Sequence, residues 1–245
     1  MENNETILSE SILQGHSDQE KAAYLAAIAS IATADKQASE EELEYLANLC
    51  EAANLPPAQQ EKVFAAAREV SGEELKNSLE LLKNSDLKYS LVTDLISFAK
   101  SDDNYSEDES QYVQKVSQYL GVDQKQFSLL NQFADNVKNS EVPAQGIAEP
   151  GFLSGLKEKM QSAGINPGTL FKGLIAIAGP ILLAKMFSGR RGGSSGSGGM
   201  FSGLGGVLAG GGMAGGLGSL IGMLGGGKGM GSTGGLLDRV LGGQF

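Results

Sequence analysis

Between residues 102 and 109 the chain sets five carboxylates, Asp102, Asp103, Glu107, Asp108 and Glu109, beside the amide of Asn104. Hard cations such as calcium take about 6–8 oxygen ligands at roughly 2.3–2.6 Å, so the donors are of the right kind. The spacing is not that of an EF-hand, because no glycine stands at the bend and Glu109 comes too early for the closing bidentate ligand. A structural role competes with a cation. Acidic residues in the first turn of a helix are favoured by its dipole by about 0.3–1 kcal/mol each, and Ser106 with Glu109 has the spacing of a capping box. With Glu109 committed to the helix end, a cation here would be held by Asp102, Asp103 and Glu107.

Other chemistry is poorly supplied. One cysteine and one histidine exclude a disulfide framework and a Cys/His zinc site. They also leave no Ser/His/Asp or Cys/His set for nucleophilic catalysis. The carboxylates read as exposed at helix starts, without the burial or like-charge pairing that acid–base work needs. No enzyme is expected. Cys50 falls on the apolar stripe Leu43, Leu46, Ala47, Cys50, Ala53 and reads as a small core residue. His16, at the entry to the first helix, reads as a surface residue.

The acidic turn occurs twice. Asp35-x-x-x-Ser39-x-x-Glu42 and Asp102-x-x-x-Ser106-x-x-Glu109 repeat one another, and the apolar framework recurs at the same offset. Ile28 meets Leu95, Ile31 meets Phe98, Tyr45 meets Tyr112, Leu46 meets Val113, Leu49 meets Val116, Asn54 meets Gly121 and Leu55 meets Val122. The spacing predicts a duplicated helix–acidic turn–helix unit. Lys36 brings a positive charge to the first turn, so the cation reading is confined to the second.

The elements that carry these turns are helices. Ser17/Glu20, Ser39/Glu42, Ser71/Glu74 and Ser106/Glu109 have capping-box spacing. Pro57 suits a first helical position, and Ser85 and Asp123 suit N-caps. Apolar residues recur at i, i+3 and i+4 in each segment, as in Tyr24, Ala27, Ile28, Ile31 or Leu87, Leu91, Leu95, Phe98, and predict one buried face per helix. No stretch alternates long enough for a strand. The expected fold is all-α, seven helices over residues 17–139.

With Ala34-Asp35-x-x-x-Ser39-x-x-Glu42-x-x-x-Leu46 and its counterpart ending at Val113, the sequence resembles the TerB-like family over residues 20–138. These are small helical domains of bacterial tellurite-resistance operons, related to the N-terminal domain of the DjlA co-chaperone. The resemblance implies a seven-helix bundle with an internal two-fold repeat. It also implies a stress-associated, non-enzymatic module whose acidic patches engage divalent cations or protein partners. Lys36, Ala38, Asp103 and Tyr105 depart from the family's usual glycine and aliphatic positions around the motif.

Charge divides the chain. Residues 1–143 carry 26 acidic and 11 basic side chains, whereas 144–245 carry 3 and 8. Of 35 glycines, 32 fall in the second part. The expected organisation is an acidic helical domain at 1–143 and a linker with a glycine-rich, basic, apolar tail at 144–245. An acidic domain repels phosphates, so no nucleic-acid partner is expected. Residues 140–152 read as linker, Phe152–Ala163 as a short helix, and Asn166-Pro167 as the start of another. Gly173–Ala184 is an uncharged apolar run between Lys172 and Lys185, too short for the about 20 residues of a membrane span. Residues 199–227 carry no charge and contain 14 glycines among 29 residues, so their Gly-x-x-x-Gly pairs add nothing beyond composition.

Three roles compete for the tail: disorder, membrane association and self-assembly. Its Leu, Ile, Met and Phe content argues against disorder, and its basic balance favours an anionic leaflet. The expectation is a cytoplasmic domain associated with a membrane, with lipid contact or self-association through residues 170–245 and protein partners on the acidic domain. The alternative is a structural protein whose tail builds an oligomer or filament.

Overall fold

In the computed structural model, which describes residues 12–32, 40–68, 72–100, 107–139 and 154–175, every regular element among the described residues is an α-helix. Seven of these are α1 (Asp18–Ala32), α2 (Glu40–Ala52), α3 (Pro57–Arg68), α4 (Glu73–Leu82), α5 (Leu87–Ala99), α6 (Glu107–Tyr119) and α7 (Gln124–Asn139). Two more follow, α8 (Ser154–Ser162) and α9 (Pro167–Gly173). The all-α expectation holds, and all seven expected helices are present.

Local signals act where their spacing places them. The Ser17 amide donates to Glu20 Oε2 at 2.9 Å and the Glu20 amide to Ser17 Oγ at 3.3 Å, which closes a capping box at α1. Asp123 and Gln126 close another at α7, with the Gln126 amide 2.8 Å from Asp123 Oδ1 and the Asp123 amide 3.0 Å from Gln126 Oε1. Pro57 opens α3, and Ser85 Oγ accepts from the Leu87 amide at the start of α5. Ser71 of the box expected at Ser71/Glu74 lies outside the described residues. α4 begins after Gly72, at φ 80°, a left-handed conformation that glycine adopts without steric cost. The boxes expected at Ser39/Glu42 and Ser106/Glu109 lie outside the described residues.

The duplication is visible in the backbone. α2 and α6 are each 13 residues long and start at Glu40 and Glu107, the offset at which the acidic turns recur. Their C-termini are copies. The amides of Ala53, Asn54 and Leu55 bond the carbonyls of Leu49, Glu51 and Cys50, and those of Leu120, Gly121 and Val122 bond Val116, Gln118 and Ser117. This is a left-handed cap of the Schellman type, with Asn54 at φ 53° and Gly121 at φ 71°.

α1 and α5 are the central pair. The one-face expectation for them is corrected: residues 21–31 of α1 are buried throughout, as are 89–96 of α5. A helix apolar or small on all sides has no solvent face to present. α1 packs chiefly on α3 and α4, and α5 on α7, α6 and α9.

The packing also runs past the boundary expected at 143/144. Residues 154–175 lie with the bundle, since Leu156, Met160, Ile165, Leu170, Leu174 and Ile175 are buried in the same apolar cluster as Leu91 and Leu95. Phe171 meets Phe133 of α7 edge-to-face, with ring centroids 5.4 Å apart. In the first repeat α4 packs against the central helix α1; in the second, α9 packs against α5. We call residues 154–175 the strap.

Candidate functional site

Asp102 and Asp103 lie outside the described residues, while Glu107 is the first residue of α6 with its side chain outside them. Among the described residues no group of three or more His, Cys, Asp or Glu side chains could hold a metal ion.

The most unusual polar group in the described structure is Asp94, a fully buried carboxylate on α5. An unpaired buried charge is costly, so its neighbours matter. The Tyr24 hydroxyl of α1 donates to Asp94 Oδ2 at 2.6 Å, and the Ile175 amide donates to the same oxygen at 3.0 Å. Burial first, then the charge of Asp94, raises the Tyr24 phenol well above its ordinary range. The same two influences raise Tyr45. One carboxylate thus joins the two central helices to the end of the strap.

One helical turn earlier, Ser90 Oγ donates to the Leu170 carbonyl at 3.1 Å. Gly173 lies so close to α5 that a Cβ there would stand 2.2 Å from Ser90 Oγ and 2.9 Å from Leu87 Cδ2. At the other end of the strap, Gln126 Nε2 donates to the Ala163 carbonyl at 2.8 Å and to Tyr89 Oη at 3.1 Å. Asn166 caps α9 by accepting from the Gly168 and Thr169 amides. α5 therefore presents a buried stripe of Ser90 and Asp94 whose partners include main-chain groups of the strap. Both side chains are buried, and their hydrogen bonds tie the strap to α5.

A second cluster joins the start of α1 to the start of α5. Ser85 Oγ donates to Glu20 Oε1 at 2.6 Å, and Ser17 Oγ donates to Glu20 Oε2 at 2.7 Å. The Ser85 bond chiefly, then those from Ser17, holds the Glu20 carboxyl below its usual range against the effect of burial. Half-buried His16 beside it is lowered, mainly by burial and in spite of Glu20 and Asp86. Between α4 and α6, Glu80 accepts from the Tyr119 hydroxyl and pairs with Lys83 at 2.9 Å, while the Lys83 ammonium lies 3.8 Å from the Tyr119 ring centroid. Cys50 is a buried free thiol, pushed up to about 12 by burial, as its place on the apolar stripe predicts. Two hydroxyls of α6, Tyr112 Oη and Ser117 Oγ, are buried without a hydrogen-bond partner, as is Gln59 Oε1 of α3.

The sequence reading passed over Asp94, which stands seven residues after Leu87 and three after Leu91 and so falls on the apolar stripe of α5 itself. A usable signal existed. A carboxylate in line with Leu87 and Leu91, on a helix whose opposite side carries Tyr89, Val92 and Ile96, had no outward side to occupy.

The family model described as tellurite resistance protein TerB matches residues 21–132. No curated protein and no solved structure matches the chain.

Proposed function

Residues 21–132 form a domain of the tellurite resistance protein TerB family, and on that premise we propose that the chain is a non-enzymatic binding module tethered to an anionic membrane by its tail. The supporting observation is how charge divides along the sequence. Residues 1–175 carry 28 acidic and 14 basic side chains, a net of −14, and residues 176–245 carry 1 and 5, a net of +4. The latter segment also holds 26 of the 35 glycines. An acidic body is repelled by anionic lipid, while basic residues beside apolar ones are drawn to it at about 1 kcal/mol per Lys or Arg. Among the described residues no helix is long and apolar enough to cross a membrane. The apolar run Gly173–Ala184 is itself shorter than a span, so the tether proposed here lies on the surface. The acidic turn Asp102, Asp103 and Glu107 is the proposed contact for a divalent cation, calcium being the probe.

Flotation of the full chain on vesicles of phosphatidylcholine and phosphatidylserine, mixed about seven to three, tests the tether. Recovery in the lipid fraction supports it. A chain that stays at the bottom, but scatters light as large particles without lipid, favours the self-assembling alternative instead. Calcium raising the thermal midpoint of the wild type, but not of a D102N/D103N variant, supports the cation contact.

A further inference from the structure

The apolar run Gly173–Ala184 has two incompatible uses. Its first three residues, Gly173, Leu174 and Ile175, are buried against α5. The other nine follow directly, and the run ends at Lys185. Residues 173–175 cannot be bundle core and lipid-facing surface together. We propose that the strap is a latch on the tail: the bundle and an anionic lipid surface compete for Gly173–Ile175, and the Ser90–Asp94 stripe sets the balance. This rests on the tethering reading above.

Three features make the strap releasable. First, among the described residues Ser90 ties to the Leu170 carbonyl and the Ile175 amide to Asp94, each by one hydrogen bond. Each contributes modestly to stability while both groups stay paired. Second, α9 is only 7 residues long, and its C-cap residue Leu174 is already extended at ψ 112°. The chain therefore leaves α5 by unzipping from its end rather than by breaking a long helix. Third, the fit at Gly173 leaves no room for a Cβ, so the closed state is sensitive to a single side chain. A lipid that binds only the released tail is weakened by the fraction of molecules that are closed. Loosening the latch by a given factor strengthens lipid binding by that factor until the open state dominates. Coupling is reciprocal, so lipid must in turn loosen the strap.

The test uses the full chain and the vesicles named above. S90A removes one hydrogen bond and is expected to raise vesicle partitioning about fivefold. G173V, whose side chain overlaps Ser90, should raise it more than tenfold. V63A, a buried α3 change remote from the strap, serves as the control and should leave partitioning unaltered. Circular dichroism melting verifies that each variant is folded, and sedimentation without lipid separates binding from aggregation. Hydrogen exchange gives the reciprocal reading, with vesicles expected to speed exchange of the Leu170, Leu174 and Ile175 amides while leaving α3 unchanged. Partitioning of S90A and G173V equal to wild type, or vesicles that slow or do not alter strap exchange, would overturn the latch and leave the tether standing. A wild type that does not float removes the tether and the latch with it.

Discussion

Asn54 and Gly121 occupy the same step of the duplicated unit, and both hold the left-handed conformation, at φ 53° and 71°. Each ends a helix by the same three backbone hydrogen bonds. A Cβ on Gly121 would meet nothing within 4 Å, so only the backbone preference is at stake. Gly121→Ala should therefore cost about 1 kcal/mol, and Asn54→Gly should change stability by less than about 0.5 kcal/mol, because asparagine tolerates this region. Urea denaturation at neutral pH measures both. Equal costs at the two sites would mean the caps are not equivalent.

The repeat also pairs Cys50 with Ser117. The first copy buries a thiol, a small apolar group in practice, and the second buries a hydroxyl without a partner. An orphaned buried hydroxyl costs about 1–3 kcal/mol. Ser117→Ala and Ser117→Cys are expected to stabilise the protein, by about 1 kcal/mol, in contrast with most core changes. A lower denaturation midpoint for both variants would show that Ser117 Oγ is satisfied in solution.

Cys50 itself offers a probe of opening. Fully buried, with its thiol pushed up to about 12, it presents almost no thiolate near neutrality. Labelling by a maleimide at pH 7.5 should proceed only through unfolding, at least about a thousandfold slower than in denaturant for a domain of ordinary stability. Rapid labelling of the native protein would place Cys50 at an accessible surface.

The Glu20–Ser85 contact predicts an acid response. Because the folded carboxyl is held below its ordinary value of 4.5, its contribution is fully present above that pH. It is lost as pH falls through the lowered folded value. Ser85→Ala removes the largest cause of the shift, so the variant's stability should fall less steeply on the acid side than wild type. Thermal midpoints measured from pH 6 down to pH 3 decide this; parallel curves would deny Glu20 its role.

Where the fold was legible in sequence, the signals were local. Ser17 with Glu20 and Asp123 with Gln126 need only the backbone between them, so their spacing suffices. The repeat was legible because two copies check one another. The two helices of the strap were legible, from Phe152–Ala163 and from Asn166-Pro167, but their docking was not, since the glycine-rich composition beyond residue 176 drew Leu156, Met160, Ile165, Leu170 and Leu174 into the reading of the tail. Asp94 was hidden for a related reason. Its partners are the Tyr24 hydroxyl, 70 residues earlier, and a main-chain amide 81 residues later, and an amide has no signature in sequence. The cation question turns on Asp102 and Asp103, which lie outside the described residues.

The most direct measurement is the exchange rate of the Ile175 amide in the full chain without lipid. If the bundle extends through residue 175 and Asp94 holds its end, that amide exchanges at least about a hundredfold slower than an unstructured one. Asp94→Ala should abolish its protection before that of α3. An Ile175 amide that exchanges at the unstructured rate in wild type, while α5 stays protected, would contradict the account.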